Sequence, residues 1–261
     1  MTKVAFTNRR LNHLIYVIRE NPVTLLAFSL FTLIILLALV GPSIAPHDPI
    51  KTNATNALEP PSLSYLFGTD HLGRDVFSRV IVATRLDLGI AFSAVAISFC
   101  VGSALGGAAG FWGGWTNRVI GRISDAIMAF PLFVLAMGIV AALGNTIENI
   151  IYATAIINLP FYIRVSRAET SIRRNIGYVD AARLSGSGNL RILFTQILPN
   201  ILPPMMVQVS LNMGWAILNA AGLSFIGLGV RPPNAEWGIM VALSLIHISE
   251  PTRRYAISYA V

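Results

Sequence analysis

Five stretches of this chain contain no Asp, Glu, Lys or Arg: residues 21–46, 88–117, 126–147, 149–163 and 192–230. Crossing the hydrocarbon core of a bilayer takes about 20 residues of helix, and inside that core every backbone N–H and C=O must be satisfied by the protein. Runs of this kind admit a helical membrane bundle and little else. Four windows are long enough, and the 15-residue window 149–163 becomes a span when extended to about 145–165, with Glu148 and Arg164 reaching water at its two ends. The last window, 39 residues long, exceeds one helix, and Gly227, Gly229, Pro232 and Pro233 end its span near Leu228. The composition agrees: 54% of residues are hydrophobic and 12% charged, against about 25% charged in a soluble domain.

Basic residues orient the spans, because cytoplasmic loops are enriched in Lys and Arg. With the amino terminus inside, the inner side holds Lys3, Arg9, Arg10, Arg19, Arg118, Arg122, Arg164, Arg167, Arg173, Arg174, Arg183 and Arg191; the outer side holds Lys51, Arg74, Arg79, Arg85 and Arg231. Residues 1–21 then form a cytoplasmic segment, 45–85 an outer loop and 166–200 a cytoplasmic loop within a transmembrane domain of 22–242. The formal charge of +7 is a consequence of topology. Nucleic acid is excluded as a partner, since the aromatic residues sit in the apolar windows and not among the arginines. The single cysteine, Cys100, lies in a predicted span and supports no disulfide framework. The first apolar run is too long for a cleaved signal peptide and reads as a retained span.

Within the spans, Gly102, Ser103, Ala104, Gly106, Gly107, Ala108, Ala109 and Gly110 form the small-residue surface that close helix packing in lipid uses. The third span starts with Arg122 and Asp125, three apart and read as an interfacial pair, and Pro131 predicts a kink. In the fifth span Gln208, Asn212, Trp215 and Asn219 recur at three- and four-residue steps and share one helical stripe. That stripe is the candidate lining of a translocation path; hydrogen bonding between helices is the competing reading. His47 and His71 read as solvated loop residues rather than metal ligands, being far apart and without a cysteine.

The segment Tyr178–Asn200, YVDAARLSGSGNLRILFTQILPN, is polar and basic between two apolar runs. It reads as two short helices, the first containing Asp180–Arg183, interrupted at Gly186 and Gly188, the second capped by Asn189 and stopping at Pro199. The order Asp-Ala-Ala, three residues, Gly, then Ile197-Leu198-Pro199 resembles the EAA loop of importer-type ABC transporter permeases, with Asp180 in place of the usual Glu. The string Gly68-Thr69-Asp70, Leu72-Gly73-Arg74-Asp75, Ser78-Arg79 and the stretch LSFIGLGVRPPNAEWG resemble the permeases for dipeptides, oligopeptides and nickel. Asp75 and Arg79 stand at i,i+4 spacing, suited to an ion pair that fixes the approach to the membrane.

The resemblance, which covers nearly all of residues 10–242, implies an all-α polytopic bundle of the type I ABC importer permease kind with about five spans present and a sixth missing. It implies a transmembrane subunit in the bacterial cytoplasmic membrane that moves di- or oligopeptides, or nickel. Its implied partners are a second permease subunit, two cytoplasmic ATPase subunits, an extracytoplasmic substrate-binding protein and the lipid bilayer. The coupling residues it implies are Asp180, Ala181, Ala182, Arg183, Gly186, Leu198 and Pro199. No cofactor, metal or catalytic residue is expected. A P-loop needs Gly-Lys-Ser/Thr, and the only lysines, Lys3 and Lys51, lack that setting, so ATP hydrolysis would belong to partners. The rival reading is a proton-coupled secondary transporter or channel working through Asp125, an acid inside a predicted span.

The last residues, Leu243–Val261, depart from this pattern. LSLIHISEPTR and ISYAV resemble the translation of a sequencing-library adapter, and the expectation is that 243–261 is a non-native tail. Without Glu250, Arg253 and Arg254 the formal charge becomes +6.

Overall fold

The computed structural model describes residues 20–249. The basic residues Lys3, Arg9, Arg10 and Arg19 used for the topology, and the tail from residue 250 onward, lie outside the described residues.

Helix α1, Pro22–Ile44, starts where the Asn21 side chain accepts from the N–H groups of Val23 and Thr24 and Pro22 occupies the first turn. Helix α2, Val76–Trp112, is 37 residues long and so rises about 55 Å, well beyond a hydrocarbon core. It ends at Gly113, whose φ of +65° a side chain would resist. Helices α3, Gly114–Met128, and α4, Leu132–Leu143, meet at an angle of 89°. The third span is therefore a broken pair, not a kinked single helix. Pro131 has no N–H to continue the ladder, and with ψ at 115° it takes the N-cap position of α4.

Helix α5, Ile147–Arg173, is capped by Thr146 and packs along α2. Gly102, Gly106 and Gly110 make that approach possible: a Cβ on them would stand 2.6 Å from Tyr162 Cβ, 2.4 Å from the Ile163 carbonyl oxygen and 2.5 Å from the Arg167 carbonyl oxygen. The small-residue surface is thus a helix–helix seam. Helices α1 and α2 and the continuous run Asn189–Phe225 are each long and apolar enough to cross a membrane, and α3 with α4 would make a fourth crossing. Helix α5 is not among them on composition, because α2, α4 and α8 surround it and its polar groups need not meet lipid.

After α5 come α6, Gly177–Leu184, and α7, Asn189–Ile192, then a π turn, Leu193–Ile197, a 3-10 turn, Leu198–Ile201, and α8, Leu202–Phe225. The second helix does not stop at Pro199 as its sequence suggests: the π turn shifts the hydrogen-bond register, and Pro199 falls in the first turn of the 3-10 segment, where a missing N–H costs nothing. Nor does Asn189 cap α7; the N-cap is Gly188, with no side-chain bond. Helix α8 ends in a Schellman arrangement, Gly227 (φ +82°) bonding to the Ser224 carbonyl and Leu228 to that of Leu223. Helix α9, Trp237–Ser249, continues without a break through Ala242, and Leu243 packs against the second core cluster.

The loop 45–75 is shorter than the 45–85 read from sequence, because helix α2 already starts at Val76. Asp75 does not pair with Arg79. As N-cap of α2 its carboxylate accepts from the N–H groups of Phe77 and Ser78 and the Ser78 hydroxyl, while Arg74 pairs with Asp70 at 2.6 Å. Arg79 is 1% exposed. It donates to the carbonyls of Pro49, Pro233 and Asn234, tying this loop to the segment before α9. His47 is an exposed loop residue, as read, and its Nδ1 also lies 3.3 Å from Asp75 with its ring against Tyr65.

Candidate functional site: the helical loop between α5 and α8

Helix α6 has two faces. Val179, fully buried, joins Ile192, Leu193 and Ile197 in the first core cluster with Phe111 from the end of α2, and Tyr178 and Ala182 pack against that cluster. Asp180, Ala181, Arg183 and Leu184 face outward, Leu184 being 90% exposed. The helix closes at Gly186, φ +77°, with Gly186 and Ser187 donating back to the carbonyls of Arg183 and Ala182. The predicted residues thus divide. Asp180, Ala181 and Arg183 form the outer surface, Ala182 is a packing residue, and Gly186 is the turn. Leu198 is half-buried at the base, toward Gly107, and Pro199, the next residue, is exposed.

Two contacts lock α6 and its approach to the spans. The Arg183 guanidinium lies 5.9 Å from the centre of the Phe111 ring and its Nη1 is 3.1 Å from Asp180. Arg174 donates to the carbonyls of Gly110 and Phe111, the otherwise unpaired last turn of α2, and places a positive charge at that helix's negative end. Phe111, Arg174, Val179 and Leu184 escaped the sequence reading. An aromatic at the end of one span gives no local sign that a loop 70 residues later will rest on it.

Asp125 does not pair with Arg122. Its Oδ1 is 3.1 Å from Nη2 of Arg164 on α5, with both side chains about half exposed or more. The break at Pro131 turns α3 across the bundle, which brings Asp125 to a different helix from the one its own sequence neighbours suggest. Along the stripe of α8 the four side chains differ in exposure. Asn212 is 2% exposed, accepts from Gln208 at 3.0 Å and lies beside Tyr162 of α5. Trp215 is 63% exposed, and Asn219 donates to the Trp215 carbonyl. Among the described residues no group of three or more His, Cys, Asp or Glu side chains is arranged to hold a metal ion.

The loop helix α6 is amphipathic and fastened to the end of α2. Residues 102–261 match the binding-protein-dependent transport system inner membrane component family, and residues 15–61 match the N-terminal transmembrane domain of oligopeptide transport permease C. The chain belongs to the binding-protein-dependent permease family. It is 41% identical over 229 residues to a probable D,D-dipeptide permease, DdpC, of Escherichia coli K12, a match spanning 88% of this chain and 77% of that protein. It is 44% identical over 216 residues to the di/tripeptide permease DppC of Pseudomonas aeruginosa, spanning 80% and 71%. It is 37% identical over 217 residues to the glutathione permease GsiD of Pectobacterium atrosepticum, spanning 82% and 72%. The family and the apolar helices together make this permease a multi-pass inner-membrane protein.

Proposed function

We propose that this permease is the transmembrane subunit of an ABC importer for short peptides, with its amino terminus in the cytoplasm and its α5–α8 loop driven by two separate ATPase subunits. The observation that carries the reading is the exposed Leu184–Arg183–Asp180 face of α6 on a helix whose other face is buried in the bundle. Leu184 supplies an apolar anchor and the Asp180–Arg183 pair a polar rim, the anatomy of a docking surface. Because Val179 and the Arg183–Phe111 contact fix α6 to α2, displacement of α6 by a closing ATPase moves the end of α2 and the base of α8 together. That biases the bundle between two conformations, a population shift driven by differential contacts. Short peptides are favoured over nickel as cargo because the relatives' names are those of di- and tripeptide and glutathione permeases. A binding protein outside the membrane and a second permease subunit complete the assembly.

The test is cross-linking in the complete transporter. With Cys100 replaced by Ser and Leu184 by Cys, a short bifunctional reagent joins α6 to the ATPase subunit, and ATP changes the yield. Absence of that product in every nucleotide state contradicts the proposal.

A further inference from the structure

At the end of the bundle opposite α6, two acids the transport reading does not use are buried side by side. Asp87 of α2 is 3% exposed and Glu236, just before α9, is 0% exposed. Their carboxyl groups are within hydrogen-bonding reach of each other. Two carboxylates have four acceptor oxygens and no donor. Asp87 Oδ2 accepts from the Trp237 N–H at 3.2 Å, and Glu236 Oε2 from the Ile239 N–H at 2.8 Å. Glu236 Oε1 is buried with no hydrogen-bond partner among the described residues.

Among the described residues no cation balances the pair. On α2, Arg79 is committed to the carbonyls of Pro49, Pro233 and Asn234, and Arg85 is exposed in a groove with no ion pair. On the connecting segment Arg231 is exposed. Among the described residues, α8 offers the Ser224 hydroxyl, hydrogen-bonded to Glu236, and α9 the N–H groups of Gly238 and Ile239. Among the described residues no third His, Cys, Asp or Glu joins the pair to hold a metal ion.

We infer that Asp87 and Glu236 share a single proton that latches the segment leading into α9 onto α2. Burial pushes the Glu236 carboxyl above its ordinary range, which agrees. The latch also includes the Trp237 indole, whose Nε1 donates to the Val80 carbonyl at 3.2 Å. When the proton leaves, two like charges face each other away from water, and separation of the segment is their way to be hydrated. The sign follows from linkage: the closed form holds one proton more than the open form, so closure is complete at low pH and is lost as pH rises, the open-to-closed ratio growing about tenfold per pH unit once release begins.

The test uses the assembled transporter carrying 5-fluorotryptophan, with the Trp237 resonance assigned by its loss in Trp237→Phe. The wild-type resonance is expected to titrate as one proton at a pH above the ordinary carboxylate range. Asp87→Asn, whose amide donates to Glu236 without titrating, is expected to hold the closed position throughout, and Glu236→Gln does the same if Asp87→Asn fails to assemble. A wild-type resonance unchanged from about pH 5 to about pH 10, a variant that titrates like wild type, or a resonance that moves on chelation of divalent ions would overturn the latch. None of these readouts depends on transport or on the ATPase contact.

Discussion

Arg183 of the loop helix stands over Phe111 at the end of α2, guanidinium to ring centre 5.9 Å. The contact joins residues on elements separated by the whole of α3, α4 and α5, and it is the outermost link between the exposed face of α6 and a membrane-crossing helix. A contact of this kind at a partly exposed site is worth about 0.5–1 kcal/mol. Arg183→Gln is expected to leave the fold intact and to lower the peptide transported per ATP hydrolysed, while Arg183→Lys retains part of the coupling. Equal stoichiometry in all three proteins would remove Arg183 from the path of force.

Gly186 is required for its backbone and not for its size. Its φ is +77° and a Cβ there would meet nothing within 4 Å. Gly186→Ala should cost about 1 kcal/mol through strain alone, and Gly186→Asn less, because Asn tolerates the left-handed region. Thermal denaturation of the purified transporter distinguishes the two. An Ala variant as stable as wild type would show that α6 ends differently.

Gly106 is the opposite case. A Cβ would sit 2.4 Å from the Ile163 carbonyl oxygen, whereas at Gly89 of the same helix it meets nothing within 4 Å. Gly106→Ala must push α2 and α5 apart and is expected to lose about 1–3 kcal/mol, seen as a lower melting temperature or failure to assemble. Gly89→Ala should be neutral or slightly favourable.

Asp125 distinguishes the proposed motor from a proton-driven one. Its pair with Arg164 is solvent-exposed on both sides, so Asp125→Asn should change stability by less than about 1 kcal/mol. Uptake in vesicles should continue with ATP. Loss of uptake with ATPase activity preserved would revive the proton-coupled reading.

Asp70 gives a pH dependence of the opposite sign to the carboxyl latch. Burial raises its carboxyl, but hydrogen bonds from Arg74 and Leu72 and the Arg74 charge outweigh that and hold it below the ordinary value. The stabilisation is complete above the unfolded value and disappears as pH falls through the folded one. Loop 68–75 should therefore become protease-sensitive below about pH 4, and Asp70→Asn should already be sensitive at neutral pH.

The helical membrane class, a bend at Pro131 though not the 89° break into two helices, the close-packing surface at Gly102, Gly106 and Gly110, and the loop carrying Asp180–Gly186 could all be read from the chain. These are properties of local pattern: apolar run length, residue size at four-residue spacing, and residues with special backbone freedom. Pairings between elements could not be read that way. Sequence spacing joined Asp75 to Arg79 and Asp125 to Arg122, yet the fold joins Arg74 to Asp70 and Asp125 to Arg164, because a capping carboxylate is already occupied and a bent helix faces a new neighbour. The same limit concealed Val179, Phe111 and the Asp87–Glu236 pair. Which polar side chains meet across helices depends on helix rotation and crossing, and those are settled by the packing of the bundle as a whole.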